Sequence, residues 1–144
     1  MRHLALVIPA LAAAVPAAAA IDTSPRAAQV AVEHYYAAID RGDFRSAYRL
    51  WGETGRAGQS YAQFVRGFAQ TAATRVVAGR PRDQEGAAGS TFITVPVDVH
   101  ARLKNGRRQH FRGEYVMRRV NGVDGATPAQ LAWHIDQARL RAVR

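Results

Sequence analysis

The chain has 144 residues, 48% apolar and 22% charged, which allows one domain with a real core and excludes both a two-domain protein and a globally disordered one. Twenty basic residues stand against eleven acidic ones, a net charge of +9, and every basic residue except Lys104 is an arginine. There is no cysteine, which excludes a disulfide frame, a thiolate nucleophile and lipid attachment through a leader-proximal thiol.

Met1-Arg2-His3 is a short basic start, Leu4 to Val15 an apolar run, and Pro16 to Ala20 a small-residue segment. That order is the one of a secretory signal peptide, with Ala18-Ala19-Ala20 as the cleavage pattern. A dozen Ala-rich apolar residues are too few to span a bilayer comfortably, so no stable membrane anchor is expected after cleavage. The expectation is a leader over 1–20, a mature domain over 21–144, and a periplasmic or secreted destination.

Ser24-Pro25 opens the first predicted helix, the serine as cap and the proline in the first turn. Ala28, Ala31, Val32, Tyr35, Tyr36 and Ile39 then share one side at helical spacing, while Gln29, Glu33, His34, Asp40 and Arg41 take the other. Gly42 supplies a helix-ending residue and Asp43 a cap for a second helix, in which Phe44, Ala47, Tyr48 and Trp51 repeat at i, i+3, i+4 and i+7. Gly52 to Gln59 reads as a polar loop. Ser60-x-x-Gln63 is a capping box for a third helix with Tyr61, Phe64, Val65 and Phe68 on its apolar side.

Beyond Thr71 the period changes. Thr74 to Ala78 is a short strand candidate that continues through Asp83 to Glu85, and Gly86 to Gly89 is a turn. Ser90 to Leu103 alternates cleanly, with odd-numbered Ile93, Val95, Val97 and Val99 on one face and Asp98, His100 and Arg102 on the other. Arg107 to Val120 places Phe111, Gly113, Tyr115 and Met117 on its inner face. Both apolar rows are odd-numbered, so paired residues must sum to an even number. That requires a three-residue loop, Lys104-Asn105-Gly106, with a glycine bulge. Val99 is then opposite Phe111, Asp98 opposite Arg112 and His100 opposite His110. Pro96 lacks a ladder donor, so the strand is expected to kink there or run past its neighbour's end. Gly113 is expected to leave a gap on the inner face. Asn121 to Gln130 is a polar loop, and Leu131 to Val143 a last strand led by Trp133 and Ile135.

Three helices followed by four antiparallel strands, with YYAAIDRGDFRSAYRLW at the start and GEYVMRR then WHIDQARLR at the end, resembles the nuclear transport factor 2-like superfamily. The resemblance implies an α+β cone, with three N-terminal helices packed in the concave face of a curled four-stranded antiparallel sheet and a pocket between them. Such a fold hosts isomerases, dehydratases, cyclases and binding or accessory domains alike, so fold alone does not select an activity.

Proton-abstraction chemistry requires an ionisable base on the concave face. The inner rows hold no acid and no histidine, so no catalytic residue is assigned. The expectation is an exported, non-enzymatic module whose apolar aromatic pocket holds a small apolar ligand, or whose surface holds a protein partner. Tyr35, Tyr36, Trp51, Phe68, Tyr115, Met117 and Trp133 are the ligand-binding candidates. The alternatives are an isomerase- or dehydratase-like enzyme, with Asp98, Asp136 or His134 brought into the cone by a strand bulge, and a homodimer through the outer sheet face. No cofactor is implied. His100, His110 and His134 are outer-face histidines without metal-ligand spacing, so no metal site is expected. The arginines are scattered along the sequence without interleaved stacking aromatics, so no nucleic-acid partner is expected.

Overall fold

Ser24 accepts a hydrogen bond from the Ala27 N–H at 3.2 Å and starts helix α1, Pro25–Asp40, in the computed structural model, which describes residue 14 and residues 19–144. The leader otherwise lies outside the described residues. Helix α1 ends in a Schellman turn: Gly42, at φ +76°, donates to the Ile39 carbonyl, and Asp43 donates to that of Ala38. The Asp43 carboxylate then accepts from the Ser46 N–H and caps α2, Phe44–Arg49. Reciprocal bonds between Ser60 and Gln63 start α3, Tyr61–Arg66, which is shorter than its apolar stripe implies because the chain turns directly into the sheet. None of the described helices is long and apolar enough to cross a membrane.

The sheet has five strands rather than four: β1 Thr71–Ala78, β2 Arg82–Ala87, β3 Ser90–Leu103, β4 Arg108–Val120 and β5 His134–Ala142. Their order is β1-β3-β4-β5, with β2 also on β3, all antiparallel. The expected single strand from Thr74 to Glu85 is two strands because the long β3 carries two neighbours on one edge. β1 pairs with Val97 to Leu103, β2 pairs with Ser90 to Thr94, and the gap between them falls at Pro96, whose carbonyl accepts from Gly79 at 2.7 Å. Pro96 has no N–H to offer a ladder, so the edge breaks where a donor is missing.

β3 and β4 pair in the register that parity requires, with Val97 opposite Gly113, Val99 opposite Phe111 and His100 opposite His110. The Leu103 N–H donates to the Arg107 carbonyl at 2.8 Å, closing the three-residue turn. Before β5 the chain makes a helical turn, α4 Pro128–Leu131, capped by Thr127 and Gln130, so β5 begins after Trp133 rather than at Leu131. Trp133 instead pins β5 to the helices, its indole N–H donating to the Ser24 carbonyl at 3.0 Å, while the Ile135 N–H donates to Leu50 at 2.7 Å.

The core lies between α1 and the concave face of the sheet. Val32, Val95 and Met117 are fully excluded from water, each such side chain contributing about 1.5–3 kcal/mol through burial. Gly113 does not open a gap for a ligand. A Cβ there would lie 1.9 Å from the Arg139 carbonyl oxygen, so the space is taken by the β5 backbone itself.

Candidate aromatic site

Tyr35 and Tyr36 project from the buried side of α1, and Tyr115 meets them from the middle of β4. Their rings lie edge-on to one another, with centroids 5.1 Å apart for Tyr35 and Tyr36, 5.9 Å for Tyr35 and Tyr115, and 6.1 Å for Tyr36 and Tyr115. The Tyr36 and Tyr115 hydroxyls are hydrogen-bonded to each other at 2.6 Å. Trp51, at the end of the turn after α2, stands edge-on to Tyr35 at 6.3 Å.

These four aromatics form one side of a cavity of about 450 Å3, a size suited to a small organic molecule. Phe68 and Thr71 close it at the entry to the sheet, Val99, Gln109 and Phe111 come from the central strands, and Ala138 and Leu140 from β5. Arg56, from the loop before α3, also lines it and lays its guanidinium over the Trp51 ring at 4.4 Å. No carboxylate and no imidazole is among the lining side chains.

Of the seven candidates read from the sequence, Tyr35, Tyr36, Trp51, Phe68 and Tyr115 are brought together around this cavity. Met117 and Trp133 are not. Met117 sits opposite Ile93 and Ile135 in the fully buried core, and Trp133 packs at the start of α1. Sequence reasoning missed Arg56, because a lone arginine in a glycine-punctuated loop carries no periodic signal. It also missed Ala138 and Leu140, because β5 bears a bulge that shifts its inward residues.

Burial pushes the phenols of Tyr36 and Tyr115 well above their usual range and raises that of Tyr35 as well. For Tyr35 the Trp51 indole and the positive charge of Arg56 act in the opposite direction. The cavity therefore presents neutral hydroxyls and a cation. Such groups donate hydrogen bonds and attract negative charge. None of them is a base at neutral pH.

The acids and histidines that could serve as a base are elsewhere. Asp98 is on the outer face of β3, bonded to His110 Nε2 at 2.7 Å and to the Arg112 Nε–H at 3.0 Å. His134 is held by its own turn, with Nδ1 3.1 Å from the Ala132 carbonyl. Asp136 is the extra residue of the β5 bulge between the Met117–Ile135 and Val116–Gln137 pairs. Asp136 and His134 both line an adjoining cleft of about 500 Å3 that shares Trp51, Arg56 and Ala138 with the aromatic cavity. His100 and His110 stack at 4.3 Å, and no group of three metal-ligating side chains comes together among the described residues.

No family model matches the chain, and no curated protein matches it. Two solved structures do. A protein named "Putative Scytalone Dehydratase", from Novosphingobium aromaticivorans DSM 12444, is 15% identical, with a TM-score of 0.57 over 83% of each chain. The Kfla4162 protein from Kribbella flavida is also 15% identical, with a TM-score of 0.51 over 83% of this chain and 91% of that one. At that identity the likeness is one of fold: a curled, open antiparallel sheet closed over by a long first helix.

Proposed function

We propose that the protein is an exported binding module whose cavity holds a small, flat, largely apolar molecule with an oxygen acceptor at one end. The observation that carries this reading is the composition of the cavity wall: edge-on aromatic rings, two hydrogen-bonded neutral phenols, one guanidinium, and no carboxylate or imidazole. Rings supply apolar contact at low entropic cost, and the hydroxyls and Arg56 orient a polar end. Export rests on the leader pattern of residues 1–20.

The two tryptophans supply the test, because only Trp51 lines the cavity. In Trp133→Phe the remaining emission belongs to Trp51. Titration with 2-naphthoate and 2-naphthol as probes is expected to quench it saturably, the carboxylate binding more tightly through Arg56. Emission that stays flat for both probes, in a variant shown to be folded, refutes the reading.

A second reading is favoured by the β5 bulge. A dehydratase- or isomerase-like reaction has a proton donor in the Tyr36–Tyr115 pair, and one fold neighbour carries a dehydratase's name. The base it needs is then Asp136, across the boundary shared by the two cavities. Turnover of a probe that is lost in Asp136→Asn while its binding persists would select the enzyme over the module.

A further inference from the structure

The arginines that are scattered in sequence gather on the outer face of the sheet, because they fall at alternate positions on paired strands. Two pairs of them are directly opposed across strands, Arg102 with Arg108 and Arg112 with Arg141. Between these pairs runs a row of Arg75, His100 and His110. Like charges directly opposite one another destabilise a sheet, so this arrangement works against the fold that carries it. The usual remedy, an interleaved acid, is sparse here. Asp98 serves Arg112 and His110, whereas Arg75, Arg102, Arg108 and Arg141 have no carboxylate within ion-pair distance among the described residues. Elsewhere on the same face the remedy is applied, since Glu114 bridges Arg82 and Arg139.

Three of these four cations also border a depression of about 400 Å3, lined by Arg75, His100, Arg102 and Arg108 with Gln109, Ala101 and Thr74. The one acid at its rim, Asp40, is already engaged by the Thr74 N–H at 2.8 Å. Arginines of three strands line one concavity, and planar guanidinium forks match the oxygen geometry of a phosphate.

We propose that this depression, which adjoins the aromatic cavity along Thr74, Ala101 and Gln109, is a phosphate-binding site, and that the ligand's charge offsets the repulsion between Arg102 and Arg108. The phosphate is either a soluble one or the headgroup of an anionic lipid. The cations are spread over a face rather than along a track, and Phe92, the aromatic of this face, lies beneath Arg118 at 5.8 Å. A two-dimensional array without free stacking rings fits a headgroup or a single phosphate better than a nucleic-acid strand.

The test uses the mature chain and the double variant Arg102→Gln/Arg108→Gln, with Arg75→Gln as an independent single change. Titration with inorganic phosphate at low salt is expected to shift the arginine Nε–Hε signals of Arg75, Arg102 and Arg108 saturably. The double variant is expected to lose affinity about tenfold or more. Co-sedimentation with phosphatidylcholine vesicles, with and without phosphatidylglycerol, separates the sources. Retention on the anionic vesicles assigns the phosphate to a lipid, and a phosphate response without retention assigns it to a soluble ligand. Since the substitutions relieve repulsion, the variants should melt no lower than the parent. The proposal is overturned by silence toward both probes, by equal binding in the variants, by a lower melting temperature, or by retention of a single-stranded oligonucleotide alone.

Discussion

The hydroxyl of Tyr36 lies 2.6 Å from that of Tyr115, joining α1 to β4 across the core. One phenol donates and the other accepts, which leaves one phenolic proton free to meet an acceptor in the cavity. Changing either residue to Phe strands its partner's buried oxygen and should cost about 1–3 kcal/mol. The double change to Phe removes both polar groups and should cost less than the sum of the singles. Urea denaturation of the three variants, read as a double-mutant cycle, checks this. Strict additivity would mean that the hydroxyls are not coupled.

The same burial sets an alkaline limit on stability. The folded chain holds the protons of Tyr35, Tyr36 and Tyr115 above the usual phenol range, mainly because ionised forms would be desolvated. The unfolded chain releases them near pH 10. Folded phenols with raised values stabilise the protein fully below about pH 10, and that contribution is lost as the pH climbs further. The urea midpoint should therefore fall between about pH 10 and 12, and the phenolate absorbance of these three residues should appear together with unfolding rather than before it.

The parity of apolar residues was enough to place Val97 against Gly113 and His100 against His110, because a one-residue slip would have turned both rows to solvent. Capping signals at Ser24, Asp43 and Ser60 were equally legible, since each is a local bond between a side chain and a backbone N–H within three residues. What could not be read were features set by distant chain. The split of the first edge depends on how far two short segments reach along β3. The bulge at Asp136 depends on the demand that both Ile135 and Ala138 face inward. Arg56 reaches the aromatic cavity only because its loop folds back over Trp51, with Gly55 tight against the Tyr48 ring. The shared outward face of the arginines followed from the same parity as the core, although along the sequence they are merely dispersed.

Gly113 controls how closely β5 can approach β4. A methyl group there meets the Arg139 carbonyl oxygen at 1.9 Å and the Leu140 Cα at 3.0 Å, both backbone atoms that cannot rotate away. Gly113→Ala should therefore push β5 outward and cost about 1–3 kcal/mol, the usual scale of overpacking. Ala138 and Leu140 move with that strand and line the aromatic cavity, so probe binding should weaken as well. Unchanged urea midpoint and unchanged probe affinity would contradict the close approach.

Asp98 should set the acid limb of the stability profile. Its carboxylate accepts from His110 at 2.7 Å and from Arg112 at 3.0 Å, and these two bonds, His110 first, hold its carboxyl below the usual range. The other titratable groups nearest it are His100, two residues along β3 and stacked on His110, and Arg141, opposite Arg112. Because the folded value is depressed, the contribution is present above the unfolded carboxyl value near pH 4 and disappears as the pH falls below it. Carbon-detected titration of the Asp98 carboxyl should give a midpoint below 3.8, and Arg112→Gln should raise that midpoint by removing one donor and one positive charge. Asp98→Asn should flatten the corresponding part of the acid unfolding curve. An Asp98 midpoint at or above that of an unstructured aspartate would show that neither bond persists in solution, and Arg112 would then lack its carboxylate partner.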